Sequence, residues 1–138
     1  MFALLTLLFA STPAEHVIPG ERAPKFLILD ERGMAQLLVN AATGAGDVAL
    51  SVLTLAPGAV VAEHVHETSS ETLYVERGEV EMTIAGKLVR AKAGDAIYIP
   101  KGTLHSARVA GTVESVRVVQ VYVGPGPEQR FSKGKVVK

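Results

Sequence analysis

Cysteine and tryptophan are both missing from this 138-residue sequence. Without thiols there is no disulfide, no thiolate metal site, no nucleophilic cysteine and no lipid attached through cysteine. With no Trp, 4 Phe and 3 Tyr, there is too little aromatic surface to stack a row of nucleobases. Net charge is absent as well, since 14 Lys and Arg balance 14 Asp and Glu. No long-range field draws the chain to nucleic acid or to an anionic membrane, and neither is expected as a partner. The apolar opening stretch Met1 to Ala10 is too short for a membrane span, which needs about 20 residues. No internal repeat appears, and the Gly44-Ala45-Gly46 loop has no phosphate-binding glycine motif around it.

What is present fits one globular domain. Hydrophobic residues make up 48% and charged residues 20%, too apolar a mixture for a disordered chain. A chain of this length buries roughly two-thirds of its unfolded surface, so no staple is needed for bulk stability. Residues 1–14 read as a signal peptide: an apolar run, then the small residues Ala10 to Ala14, with Ala10 or Ala14 at the cleavage point. The expected positive residue at the start is missing, and a buried first strand or short helix is the competing reading. A cleaved signal means a secreted or periplasmic protein; otherwise the protein is cytoplasmic. Residues 15–25 are expected to be a linker or arm, with His16 solvated in it. Residues 26–123 form the domain. Residues 124–138 open with Gly-Pro-Gly-Pro, turn basic, and read as a solvated tail leaving the fold.

The body is expected to be all-β. Short apolar stretches are broken by Gly, Pro and Asp at intervals of about 8–12 residues, the spacing of a sandwich or barrel. Val80, Met82 and Ile84 alternate with Glu79, Glu81 and Thr83, and Ala85-Gly86-Lys87 then supplies a turn. Val113 to Val123 is a long strand rich in β-branched residues. Met34, Leu37, Leu38, Ala41 and Ala42 have helical spacing, but the neighbouring strands favour a strand here too.

His64 and His66 stand two apart, so on a strand they share one face and can lean onto one ion. Glu71 follows a loop-like stretch and falls on the face of Leu73 and Val75, where a carboxylate needs a cation beside it. His105 is the fourth candidate. The pair of histidines alone is equally at home on a surface, or in a core with backbone hydrogen bonds. Glycines at plausible strand turns surround these residues.

The full pattern resembles the cupin superfamily. Gly58-x5-His64-x-His66-x4-Glu71-x6-Gly78 looks like its first motif, and Gly94-x5-Pro100-x-Gly102-x2-His105 like its second. The likeness covers about Val48 to Val123. It implies a double-stranded β-helix, a jelly-roll barrel, with one divalent metal held by His64, His66, Glu71 and His105. Val109 stands where the second motif often has Asn, a position that is not a ligand. Three imidazoles and a carboxylate suit Mn or Fe first, with Ni, Co, Cu or Zn as other fits.

The resemblance implies a metal-dependent enzyme of dioxygenase, decarboxylase or isomerase type, acting on a small organic substrate. The alternative is a non-catalytic ligand-binding cupin or a structural one of the germin or storage kind. No catalytic residue is assigned. Met82, Tyr98, Gln120 and Tyr122 are candidates to face inward. Arg108 and Arg117 either meet a substrate carboxylate or lie solvated on a strand face. A homodimer is expected, with Phe26 to Asp30 available to add to a partner's sheet.

Overall fold

Alternation is clearest in Val116–Val123, where every second side chain is buried, and this strand lies inside the larger sheet with a partner on each side. In chain order, the strands among the described residues are β1 (Lys25–Ile28), β2 (Gly33–Val39), β3 (Val48–Leu55), β4 (Val60–His64), β5 (Ser70–Arg77) and β6 (Glu79–Ile84). They continue with β7 (Lys87–Lys92), β8 (Ala96–Ile99), β9 (His105–Val109), β10 (Val116–Val123) and β11 (Lys135–Val136). This computed structural model describes residues 16–138. The signal-peptide reading of residues 1–14 falls outside them. Among the described residues no helix is long and apolar enough to cross a membrane.

The strands form two antiparallel sheets, a 7-stranded one in the order β11-β1-β2-β3-β10-β5-β8 and a 4-stranded one in the order β4-β9-β6-β7. They close into a jelly-roll barrel. Its core is aliphatic, with Leu55, Val75, Val80, Ile99, Val109 and Val116 at 5% exposure or less. Burying each such side chain contributes roughly 1.5–3 kcal/mol, so the barrel stands on its own packing. In β3, Val48, Leu50 and Val52 alternate with Ala49, Ser51 and Leu53, a pattern apolar on both faces, and Ala49, Ser51, Leu53 and Leu55 turn in.

Two glycine-bearing turns set the geometry. Ala85 and Gly86 have φ of 49° and 77°, the mirror-type hairpin turn that matches the strands' twist, and they join Ile84 to its partner Lys87. Gly78 lies where the chain passes from β5 in one sheet to β6 in the other. Its φ is +81°, and a Cβ there would stand 2.7 Å from the Ser115 carbonyl oxygen.

The segment of mixed periodicity is strand β2. It ends in a 3-10 turn, Ala41–Thr43, capped by the Asn40 side chain, which accepts from the Ala42 N–H at 2.9 Å. Two expectations about the ends need correction. The segment after Val123 does not leave the fold: a 3-10 stretch, Pro127–Lys133, buries Phe131, and β11 then pairs with β1. In consequence β1 lies between β2 and β11 and is not a free edge for a partner's sheet. Gly134 permits this contact, since a Cβ on it would fall 2.0 Å from the Leu27 carbonyl oxygen.

Candidate metal centre

The site begins with a cross-strand pair. His64 ends β4 and His105 opens β9, and the two are directly opposed in the register. His66 lies just beyond β4, and its carbonyl accepts from the Gly102 N–H at 2.8 Å. That bond ties the glycine turn of the second motif to the histidines of the first. Glu71 comes in from β5 in the other sheet, next to the register pair Tyr122 on β10.

The structure brings all four predicted residues together. One donor atom from each of His64, His66, Glu71 and His105 lies within 4.8 Å of the others. Glu71, His66 and His105 are buried, and His64 is half-buried. His64 Nδ1 is 2.7 Å from the Ala62 carbonyl and His105 Nδ1 is 2.8 Å from that of Thr103. A carbonyl can only accept, so each ring carries its proton on Nδ1 and turns Nε2 inward.

Glu71 Oε2 lies 3.3 Å from His66 Nε2 and 3.2 Å from His105 Nε2. Donors about 2.1 Å from a shared six-coordinate ion stand about 3.0 Å apart when adjacent and 4.2 Å when opposed, so these spacings fit one ion. His64 Nε2 supplies a separate test. It is buried and has no hydrogen-bond partner. A lone pair left this way is costly unless a cation meets it. The donor set therefore fits a divalent metal.

The electrostatics agree. Burial alone pushes Glu71 up, but hydrogen bonds from His105, His66 and Gln120 outweigh it and hold the carboxyl at about 2. Burial pulls His105 down, and its bonds to Glu71 and the Thr103 carbonyl more than reverse this, so its pKa is raised. That second proton occupies the lone pair a metal would use. Burial lowers His64, with further downward pushes from His105, Arg130 and His66, so this ring stays neutral.

Two further side chains complete the shell. The Gln120 amide donates to Glu71 Oε1 at 2.5 Å, and the Tyr122 hydroxyl is 3.4 Å from His66 Nε2. Burial and the Glu71 charge raise Tyr122, so it stays protonated.

These features decide the family. This chain is a cupin. A family model described as "Cupin domain" matches residues 51–122. The cupin is 32% identical over 93 residues to "Tetracenomycin polyketide synthase protein TcmJ" of Streptomyces glaucescens, a match of 67% of this chain and 62% of that one. It thus spans under two-thirds of that relative. It is 29% identical over 105 residues to a quercetin 2,3-dioxygenase of Bacillus subtilis (strain 168), covering 71% of this chain and 31% of the enzyme. Among solved structures, the polyketide cyclase RemF from Streptomyces resistomycificus superposes with a TM-score of 0.69 at 20% identity, over 82% of each chain, a likeness of fold.

The remaining candidates divide. Met82, Gln120 and Tyr122 of this cupin are buried inside, but Tyr98 is 63% exposed on the outer face, out of step with Ile97 and Ile99. Arg108 and Arg117 lie on strand faces, paired with Glu81 and Glu76. His16 is exposed. Sequence reasoning missed Arg130. Its guanidinium lies 3.5 Å from the Tyr122 hydroxyl and 5.0 Å from the Phe131 ring centre. The one signal for it was an apolar aromatic residue inside a basic stretch.

Proposed function

We propose that this cupin is a metal-dependent enzyme acting on a small organic substrate, its metal held by His64, His66, Glu71 and His105. Mn or Fe suits the set best, given one carboxylate, three imidazoles and no thiolate. The observation that carries the reading is the orphaned His64 Nε2, aimed at three other donors beside an apolar cavity of about 520 Å³. A cavity of roughly 300–1,000 Å³ takes a small organic molecule, which a purely structural metal site does not need.

A divalent ion bound there supplies Lewis acidity to an oxygen of the substrate. The protein's own groups do the rest. Gln120 fixes the orientation of Glu71, and Glu71 stays ionised as the one anionic donor of the site. The Tyr122 hydroxyl, between His66 and Arg130, keeps its proton and can donate a hydrogen bond. The aliphatic walls keep water from the reacting end. The relatives, a polyketide synthase protein and a quercetin dioxygenase, favour an oxygenated organic substrate. A homodimer belongs to the same proposal, formed over the β8 edge where Tyr74 and Tyr98 are exposed.

The test is elemental analysis of protein purified without added metal, with oxygen-consumption and acid-release assays on diketones, phenolics and small organic acids. The expected result is one divalent ion per chain and turnover that a chelator abolishes. Bound metal that raises the melting temperature, with no turnover across the panel, would move the assignment to a binding or structural cupin.

A further inference from the structure

The cavity beside the metal donors has one chemical asymmetry. Its walls are aliphatic and aromatic, with Leu53, Leu73, Val80, Met82, Val118 and Phe131 among them, and the donors lie at one part of the lining. The 3-10 stretch Pro127–Lys133 forms another wall. On its far side is a second, more open hollow, and Arg130 and Lys133 border both spaces.

Among the described residues, Arg130 is the arginine that borders this cavity. Arg90 and Arg108 pair with Glu81, Arg117 with Glu76, and Lys135 reaches Glu31 at 3.6 Å. Among the described residues Arg130 meets no carboxylate. Its contacts are the Tyr122 hydroxyl and the Phe131 ring, neither of them an anion. The acids bordering the cavity away from the donors, Asp30 and Glu31, belong to the β1–β2 turn, and Lys135 answers Glu31. An exposed guanidinium at the rim of an apolar chamber is a receptor for an anion that carries an apolar body.

We propose that the cavity takes an amphiphilic organic anion, its apolar body among the aliphatic side chains and its acidic oxygens on the Arg130 guanidinium. Arg130 is then a specificity-determining residue, fixing which end of the molecule faces the donors. This names the substrate class for the enzyme proposed above and rests on that reading for its link to turnover. The binding itself does not depend on it.

The experiment uses a matched pair of probes, 1-naphthoate and the neutral 1-naphthalenemethanol. Binding to the full chain is measured by calorimetry, as purified and again with EDTA, so that any pull from a metal is separated from that of Arg130. The wild type is expected to prefer naphthoate by about tenfold, with the two probes competing for one site. Arg130→Gln should bring that ratio close to one while leaving the affinity for the neutral probe unchanged. Arg130→Lys should keep part of the preference. Arg90→Gln, on the outer sheet face, should keep all of it. Equal binding of the two probes by the wild type, no binding of either, or a preference that survives Arg130→Gln would overturn the proposal. Loss of metal and of turnover with an Arg130-dependent preference intact would sink the enzyme reading alone.

Discussion

Replacing Gln120 with Leu separates the metal centre from the fold that carries it. The amide donates to Glu71 Oε1 at 2.5 Å, while its own oxygen is buried with no partner. Removing a hydrogen bond to a carboxylate costs about 1.5–3 kcal/mol. At about 1.4 kcal/mol per factor of ten, metal affinity should fall about 10- to 100-fold. That is also the range for losing a group that orients a ligand. Stability should move differently. Leucine has nearly the same volume and abolishes the unsatisfied oxygen, whose burial costs about 1–3 kcal/mol. The lost bond to the buried Glu71 carboxylate offsets that gain, so the melting temperature in EDTA should hold roughly steady. Affinity is read by competition with a chromophoric chelator, and stability by circular dichroism with EDTA present. An unchanged affinity would refute the idea that Gln120 positions Glu71. A fall in melting temperature in EDTA would show that the amide belongs to the fold instead.

Two further predictions bear on the fold. Gly78→Ala should destabilise by about 2–4 kcal/mol, because its φ of +81° is unfavourable for alanine and its Cβ would strike the Ser115 carbonyl at 2.7 Å. Gly86→Ala, at φ +77° with open space around it, should cost only about 1 kcal/mol in the same urea titration, and equal costs would contradict the close-approach argument. On the outer face of the smaller sheet, bonds from Arg90 and then Arg108 hold the Glu81 carboxyl below its ordinary value. A depressed carboxyl stabilises the fold above the unfolded pKa, and that contribution drains away as pH falls through the folded one. Both arginines are exposed, so the effect is small; Glu81→Gln should lower stability slightly and evenly above pH 6 and flatten the acid limb between about pH 5 and 3, the two proteins converging at low pH. An acid limb identical to the wild type would remove the pair from the account.

The centre was legible because its residues sit in short local patterns. His64 and His66 stand two apart where β4 ends, Glu71 follows within one loop, and the glycines before Glu79 and His105 fix the turns. The Phe131 wall had no such pattern. Gly-Pro-Gly-Pro followed by Lys and Arg reads as chain leaving a domain. What brings it back is one buried ring and the absence of a side chain at Gly134, and both act on β1, over 100 residues earlier in the chain. The inner face of β3 was ambiguous for another reason. Ala49 and Ser51 are small and carry little hydrophobic signal, whereas Val48 and Leu50 on the outer face carry more. Tyr98 was misplaced because an aromatic between two isoleucines looks like core, although strand alternation assigns it the other side.

The pairing of β1 with β11 also sets a timetable. During synthesis the donors His64 to His105 emerge before β10 with Gln120 and Tyr122, and the Phe131 wall and β11 come last of the described elements. Contacts this distant in sequence form late, since the chain between them must already be in place. A nascent chain can thus own a complete set of metal donors while the cavity is still open on its Phe131 side. An ion loaded at that stage would need no opening of the finished barrel, and the last strand to dock would close the chamber around it.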